Sequence, residues 1–183
     1  ETRSYPIVAD TRLRTADGRA AILLTRIGRL ELGRQTESLV SAGPDGAALL
    51  LSRGSVKYSI SPHVRVYVQT PAALVEIGQG VEASAGTVRR AHFSGEQAGS
   101  FHQGTITVGS DGRTRVVSAK GVALVREAPE AQAPMGSGQA RALSAGEEWS
   151  GAATGAVIRI AQLVEGAVIS GEVRKRHPED FKK

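Results

Sequence analysis

SVKYSISPHVRVYVQTP, residues 55–71, alternates apolar and polar side chains on both sides of a proline. Side chains that recur every second residue lie on one face of a β-strand, so the alternation predicts two half-buried strands. Pro62 has no amide proton and therefore belongs in the connection between them or at an edge. The apolar face is formed by Val56, Tyr58 and Ile60 in the first run and by Val64, Val66 and Val68 in the second.

Similar runs extend outward from this stretch over about residues 19–127. They recur at intervals of roughly 8–12 residues with turn residues between them, which is typical of an all-β fold. Three Asp-Gly pairs, at 17–18, 45–46 and 111–112, are expected in hairpin turns, because glycine adopts positive φ without steric cost. The runs predicted to be strands are 20–25, 29–32, 38–41, 47–52, 55–61, 64–69, 73–77, 81–84, 87–93, 104–108, 114–118 and 122–126.

The predicted fold is an antiparallel β-sandwich, a jelly roll or a short solenoid-like stack of about twelve strands. Two runs, 20–24 and 47–51, are continuously apolar, which favours strands covered on both faces or turns that swap faces. Thr70-Pro71 is expected to end pairing at an edge or a corner between sheets, with small residues at 72 and 73 where the chain turns closely. The side chains predicted to be buried are Val56, Tyr58, Val66, Val68, Val75, Ile77, Ile106, Val108 and Trp149.

The C-terminal part of the chain changes character. We expect one β domain over residues 1–150, ending in an irregular stretch at 128–144, and an extension over 151–183. Within the extension, residues 154–175 have apolar side chains at helical spacing followed by cations, which predicts a helix; the competing interpretation is two strands joined at 165–166, because many of the residues are β-branched. The candidate partner-contact residues are Val157, Ile160, Val164, Val168, Arg174 and Lys175.

Composition and charge disfavour several classes of function. The 23 Lys and Arg residues exceed the 18 Asp and Glu residues, but they are scattered, and only seven aromatic residues could stack on bases, so nucleic acid is not the expected partner. Tyr58 and Tyr67 are almost the only candidates for a glycan-binding face. The apolar stretch 151–171 contains Arg159 and Glu165, which argues against a membrane-spanning helix. A start at Glu1 rather than Met favours a processed or trimmed chain over an intact cytoplasmic one.

The reactive residue types show no catalytic or metal-binding pattern. The chain has no cysteine, and none of its histidines, His63, His92, His102 and His177, are spaced as metal ligands, so ordinary surface histidines are expected. Glu147 and Glu148 are adjacent and would point to opposite faces of a strand. The sequence therefore predicts no enzyme activity, no cofactor, no metal and no small-molecule substrate.

A turn and strand that begin with DGRA (17–20), and five further segments in order up to residue 149, resemble the FecR-like domain. The five segments are GRLELGRQTE (28–37), ALLLSRGSVKYSI (48–60), VYVQTPAALVEIGQG (66–80), HQGTITV (102–108) and ALSAGEEW (142–149). Two positions depart from the family pattern. Gly78-Gln79-Gly80-Val81 stands where the family has Gly-Thr and an aromatic residue, and Gln103-Gly104 replaces Glu-Gly.

The resemblance implies a non-catalytic module of the bacterial envelope. Known members are membrane-anchored regulators whose β domain lies outside the inner membrane, and this chain shows neither their anti-sigma region nor their transmembrane helix. We therefore expect a periplasmic or otherwise extracytoplasmic protein, membrane-proximal without spanning, that docks or senses another protein through sheet edges and loops. The alternative is a structural subunit of a filament, surface layer or membrane complex, held to copies of itself or to a neighbour by the C-terminal tail.

Overall fold

A computed structural model describes residues 7–8, 10–43, 46–79, 101–127 and 140–153. These residues form strands and no helix, which confirms the all-β prediction. In chain order the strands are β1 (Thr11–Arg14), β2 (Ala20–Leu24), β3 (Gly28–Leu32), β4 (Glu37–Gly43), β5 (Gly46–Ile60), β6 (Arg65–Gln69), β7 (Ala73–Gly78), β8 (His102–Val108), β9 (Thr114–Lys120), β10 (Ala123–Glu127), β11 (Ala140–Leu143) and β12 (Glu148–Gly151).

The strands form two sheets that share β5. Sheet A has the order β1-β4-β5-β6-β7-β10-β11, and sheet B has the order β2-β3-β5-β8-β9-β12. Neighbours are antiparallel except for β5 and β6, which run parallel from the pair Gly46–Arg65 to the pair Leu50–Gln69. Side chains from both sheets meet in one hydrophobic core.

β5 passes from sheet A to sheet B at Gly54. Its pairing with β4 shifts between Glu37, which faces Arg53, and Ser38, which faces Leu51. This β-bulge is followed by the positive φ of Gly54, 94°, and the two features bend the strand without ending it. The expected strands 47–52 and 55–61 are therefore a single strand of 15 residues, so the predicted break between them was wrong.

Hydroxyl groups hold the bend in place. The hydroxyl of the buried Thr36 accepts a hydrogen bond from the Ser55 amide (3.1 Å) and donates to the Ser55 carbonyl oxygen (3.2 Å). The Thr15 hydroxyl accepts from the Thr36 amide (2.9 Å) and donates to the Gly33 carbonyl oxygen (2.6 Å). Backbone groups that the bend removes from strand pairing thus regain partners, as buried polar groups must.

Thr70-Pro71 forms a tight hairpin turn between β6 and β7. The Thr70 amide donates to the Ala73 carbonyl oxygen (2.8 Å), and the Ala73 amide donates to the Thr70 hydroxyl (3.0 Å). The predicted edge or sheet-to-sheet corner was wrong, because both strands lie in the interior of sheet A and Pro71 takes a turn position that needs no amide proton. The small side chains of Ala72 and Ala73 are buried, as expected for a close turn.

The Asp-Gly pairs do not all serve as hairpin turns. The pair at 111–112 joins β8 to β9, with Gly112 at a φ of 76°, as predicted. The pair at 17–18 joins β1 to β2, which pair with β4 and β3 instead of each other, so its hairpin assignment was wrong. Asp45 lies outside the described residues, as do the expected strands 81–84 and 87–93.

The predicted core is confirmed. All nine side chains expected to be inside are buried. Trp149 closes one end of the core on β12; its indole nitrogen donates to a carboxylate oxygen of Glu127 (3.2 Å). Gly151 leaves space for the indole ring, because a Cβ there would lie 2.4 Å from a ring carbon.

We predict that Gly54→Ala destabilises the whole fold. The new Cβ would lie 2.5 Å from the Thr36 Cα, and a φ of 94° is strained for alanine, so the free energy of unfolding should fall by about 2–4 kcal/mol in urea titrations. Gly18→Ala is the matched control, since nothing lies within 4 Å of the new Cβ. A change of similar size in both variants would contradict the importance of the bend.

Candidate interaction surface

The partner-contact residues predicted from sequence, Val157, Ile160, Val164, Val168, Arg174 and Lys175, lie outside the described residues. The helix or strand pair expected for residues 154–175 lies there too, so both stay predictions. Within the described part of the chain, the edges of the two sheets are the places where another chain could pair.

Four described strands have a neighbour on one side only: β1 and β11 in sheet A, and β2 and β12 in sheet B. Three of these edges carry charges, namely Arg12 and Arg14 on β1, Arg141 on β11, and Glu148 on β12. Charged side chains on an edge strand oppose pairing with another strand. β2 has the sequence Ala-Ala-Ile-Leu-Leu and carries no charge, so it is the least protected of the four.

β2 presents an apolar outer side to solvent. Ile22 points into the core and is buried, whereas Leu23 is 76% exposed and Ala21 is also exposed. The strand returns to β3 through a tight turn in which Arg26 has a φ of 61° and the Ile27 amide donates to the Leu24 carbonyl oxygen (2.9 Å). We call strand Ala20–Leu24, with its exposed side chains, the β2 edge.

The exposure of the β2 edge corrects the sequence analysis. The continuously apolar run at 20–24 was expected to be covered on both faces or to lie at a turn that swaps faces, but Leu23 has no such cover. The reason is topological, because among the described strands β2 pairs only with β3 and lies last in sheet B. The usable signal in the sequence was the lack of any charged residue in the run.

A polar surface adjoins the β2 edge on the outside of sheet B. Arg29 lies directly opposite Leu23 and forms an ion pair with Glu31 (3.1 Å). Lys57 faces Glu31 on the next strand, and a depression of about 380 Å³ extends from there to Gln103. An apolar strip bordered by polar groups of both signs has the layout of a protein interface, with an apolar centre and a polar rim.

A second depression, of about 500 Å³, lies at the bend of β5. Its lining includes Arg14, Asp17, Glu37 and Arg53. The Glu37 carboxylate is engaged by Arg12 at 3.3 Å. Among the described residues, no group of three or more histidine or acidic side chains is placed to hold a metal ion.

His102 differs from the surface histidine expected. It is 3% exposed, and its Nδ1 accepts a hydrogen bond from the Val122 amide (3.0 Å). The imidazole packs on Gly121, whose φ is 75°. It therefore ties β8 to the turn between β9 and β10. His63 is exposed as predicted, and the other two histidines lie outside the described residues.

The adjacent acids Glu147 and Glu148 serve different structural roles. Arg115 and Glu148 form a bidentate ion pair, in which Nε and Nη2 of Arg115 donate to the two carboxylate oxygens at 2.6 and 2.7 Å. The hydrogen bond from Arg115 lowers the pKa of the Glu148 carboxyl. A Glu147 carboxylate oxygen accepts from the Ser144 amide (2.8 Å). The two carboxylates thus hold β12 and its preceding turn in place.

The two tyrosines do not form an exposed platform for a glycan. Tyr58 is buried, and its hydroxyl has no hydrogen-bond partner among the described residues. Burial raises the pKa of Tyr58 to about 12, opposed in part by the neighbouring Ser118, whose hydroxyl donates to the Gly121 carbonyl oxygen (3.3 Å). Tyr67 is half-buried, and its hydroxyl accepts from Arg65 (3.3 Å).

No protein-family model matches the chain, and no curated protein shows significant similarity to it. The resemblance to the FecR-like domain therefore stays a prediction. The described residues contain no helix with the length and hydropathy needed to cross a membrane.

We predict that Tyr58→Phe reduces the loss of stability at high pH. With a folded pKa of about 12 against roughly 10 when unfolded, Tyr58 favours folding fully below pH 10, and this contribution falls by up to about 1.4 kcal/mol per pH unit as pH rises from 10 to 12. Urea titrations at pH 8, 10 and 11 should show a shallower decline for Tyr58→Phe than for the wild type. Equal declines for the wild type and Tyr58→Phe would contradict the assignment.

Proposed function

We propose that this chain is a non-catalytic β module of the bacterial envelope that docks another protein by accepting an extended segment along the β2 edge. The observation that carries the proposal is an uncharged edge strand with Leu23 76% exposed. Natural proteins usually block such an edge, so an open one points to pairing with another chain.

The structure gives this edge a physical means of binding. An added strand would pair with the outward amide and carbonyl groups of β2, while alternate side chains would contact Ala21 and Leu23. Burying Leu23 under the added strand would contribute about 1–2 kcal/mol to binding. This gain offsets part of the free energy that is lost when the incoming segment becomes ordered. Ile22 in the core fixes β2 in position, so the edge is formed before the partner arrives.

The envelope location is supported by the resemblance of residues 17–149 to the FecR-like domain. Binding through main-chain hydrogen bonds needs no cofactor or small-molecule substrate. The absence of cysteine fits an oxidising compartment as well as a reducing one.

The second candidate function is that of a structural subunit in a larger assembly. It is favoured by the same edge, because β2 can pair antiparallel with β2 of another copy about a two-fold axis. In that case the chain itself would be the partner, and association would depend on its own concentration. The C-terminal tail, expected from the sequence to hold such an assembly together, would then add a second contact.

We predict that Leu23→Lys weakens strand addition without unfolding the protein. The probe is a blocked peptide, Thr-Val-Thr-Val-Thr-Val-Thr, titrated into the labelled full chain and followed by amide chemical shifts. Shifts should concentrate on β2, and Leu23→Lys should weaken binding about tenfold, since about 1.4 kcal/mol corresponds to that factor.

Thr107→Lys is the matched control, because it adds the same charge at an exposed position of β8, inside the same sheet. Peptide shifts centred on another strand, or equal weakening by both substitutions, would contradict docking at β2. Light scattering of the unliganded wild type separates the two candidate functions. A dimer that Leu23→Lys dissociates favours the assembly subunit, and a monomer favours the docking module.

A further inference from the structure

The outer face of sheet A is buried, although it points away from sheet B. Leu124 is 0% exposed, Gln69 2%, Leu74 7% and Glu76 8%. These side chains alternate with the core residues of their strands. Sheet B packs against the other side of sheet A, where the core residues of both sheets lie, so among the described strands none of sheet B lies over this outer face.

The face also contains polar groups that water would otherwise solvate. Glu76 forms a short ion pair with Arg126, and the Glu76 side chain is only 10% exposed. The Oε1 atom of Gln69 is buried and has no hydrogen-bond partner among the described residues. A buried acceptor of this kind calls for a donor from a covering segment.

The chain leaves the described domain beside this face. A Cβ on Gly112 would lie 2.9 Å from the Ala153 side chain and 3.6 Å from that of Pro71. Pro71 belongs to the turn that joins β6 to β7, next to the paired residues Gln69 and Leu74. Residues after Ala153 therefore start near the turn at one end of β6 and β7, the strands that carry Gln69 and Leu74.

Two other long stretches lie outside the described residues, and each is a poorer candidate to cover the outer face of sheet A. Residues 80–100 leave sheet A after Gln79, at the end of β7 opposite to Pro71, and lead to sheet B, where His102 pairs with Ile60. Residues 128–139 contain prolines, glycines and alanines with Met135 as their only large apolar residue. A cover for Leu74 and Leu124 needs more apolar surface than this.

We propose that residues 154–175 dock on the outer face of sheet A of their own chain. Their apolar stripe of Val157, Ile160, Val164 and Val168 supplies the surface that the face requires. As a helix, residues 157–168 would be about 18 Å long, close to the roughly 17–20 Å of strands β6 and β7. The proposal does not depend on the β2 edge, which belongs to the other sheet.

Disulfide trapping in the full chain tests the proposal, because the natural sequence has no cysteine. Leu74→Cys is combined with cysteine at one tail position, either on the stripe (Val157, Ile160, Val164 or Val168) or opposite it (Arg159, Gln162 or Gly166). Under mild oxidation, the stripe variants should form a disulfide within one chain at least about five times faster than the opposite variants. Disulfides that join two chains would assign the tail to a second copy and overturn the proposal. Equal rates at all positions, or no disulfide at any of them, would also overturn it.

A second measurement leaves Leu74 unchanged. Val164→Asp should lower the Tm of the full chain by about 4 °C or more, because a charge would then face an apolar surface, whereas Gln162→Asp should change it by about 1 °C at most. Equal shifts for the two variants would contradict docking through the stripe.

Discussion

The fold depends on the bend of β5 around Thr36. One strand supplies the centre of both sheets, so Leu49 and Leu51 meet Val56 and Ile60 in a single core only if the chain turns at residue 54. The turn requires glycine, because any Cβ would collide with Thr36. It also requires hydroxyl groups to replace the hydrogen bonds that the bulge removes from the strand pairing.

The same bend sets the position of the candidate interaction surface. The second half of β5 pairs with β3, and β3 in turn pairs with β2, which is last in its sheet. β2 is held by one neighbour and by Ile22 in the core, and its other side carries main-chain groups and Leu23. A rigid strand that lacks edge charges is suited to receive an extended segment, whereas the charged edges β1, β11 and β12 are not.

Local patterns in the sequence predicted the features that local chemistry determines. The alternation at Val56, Tyr58 and Ile60 gave the correct buried face, because strand periodicity alone fixes which side chains share a side. The hairpin turn at the Asp-Gly pair 111–112 was also predicted correctly, because the ability of glycine to adopt positive φ is a local property. Features that depend on distant parts of the chain were missed. In the sequence, Gly54 looks like a break between two strands, whereas in the structure it is a bend that packs against Thr36. The exposure of Leu23 depends on the order of the strands in the sheet. The short strands β1, β11 and β12 depend on their partners more than on their own sequences.

Native-state hydrogen exchange of the full chain, read residue by residue, tests the central claim most directly. The account predicts that amides in both halves of β5 exchange only when the whole domain unfolds, since both lie inside one core. Every second amide of β2 should exchange with little protection, because it points away from β3 into solvent. Full protection of all β2 amides would show that the edge is already covered and would contradict the proposed docking site. If amides in the two halves of β5 opened with different free energies, the two halves would not unfold as one cooperative unit. That result would contradict the single core that positions the β2 edge.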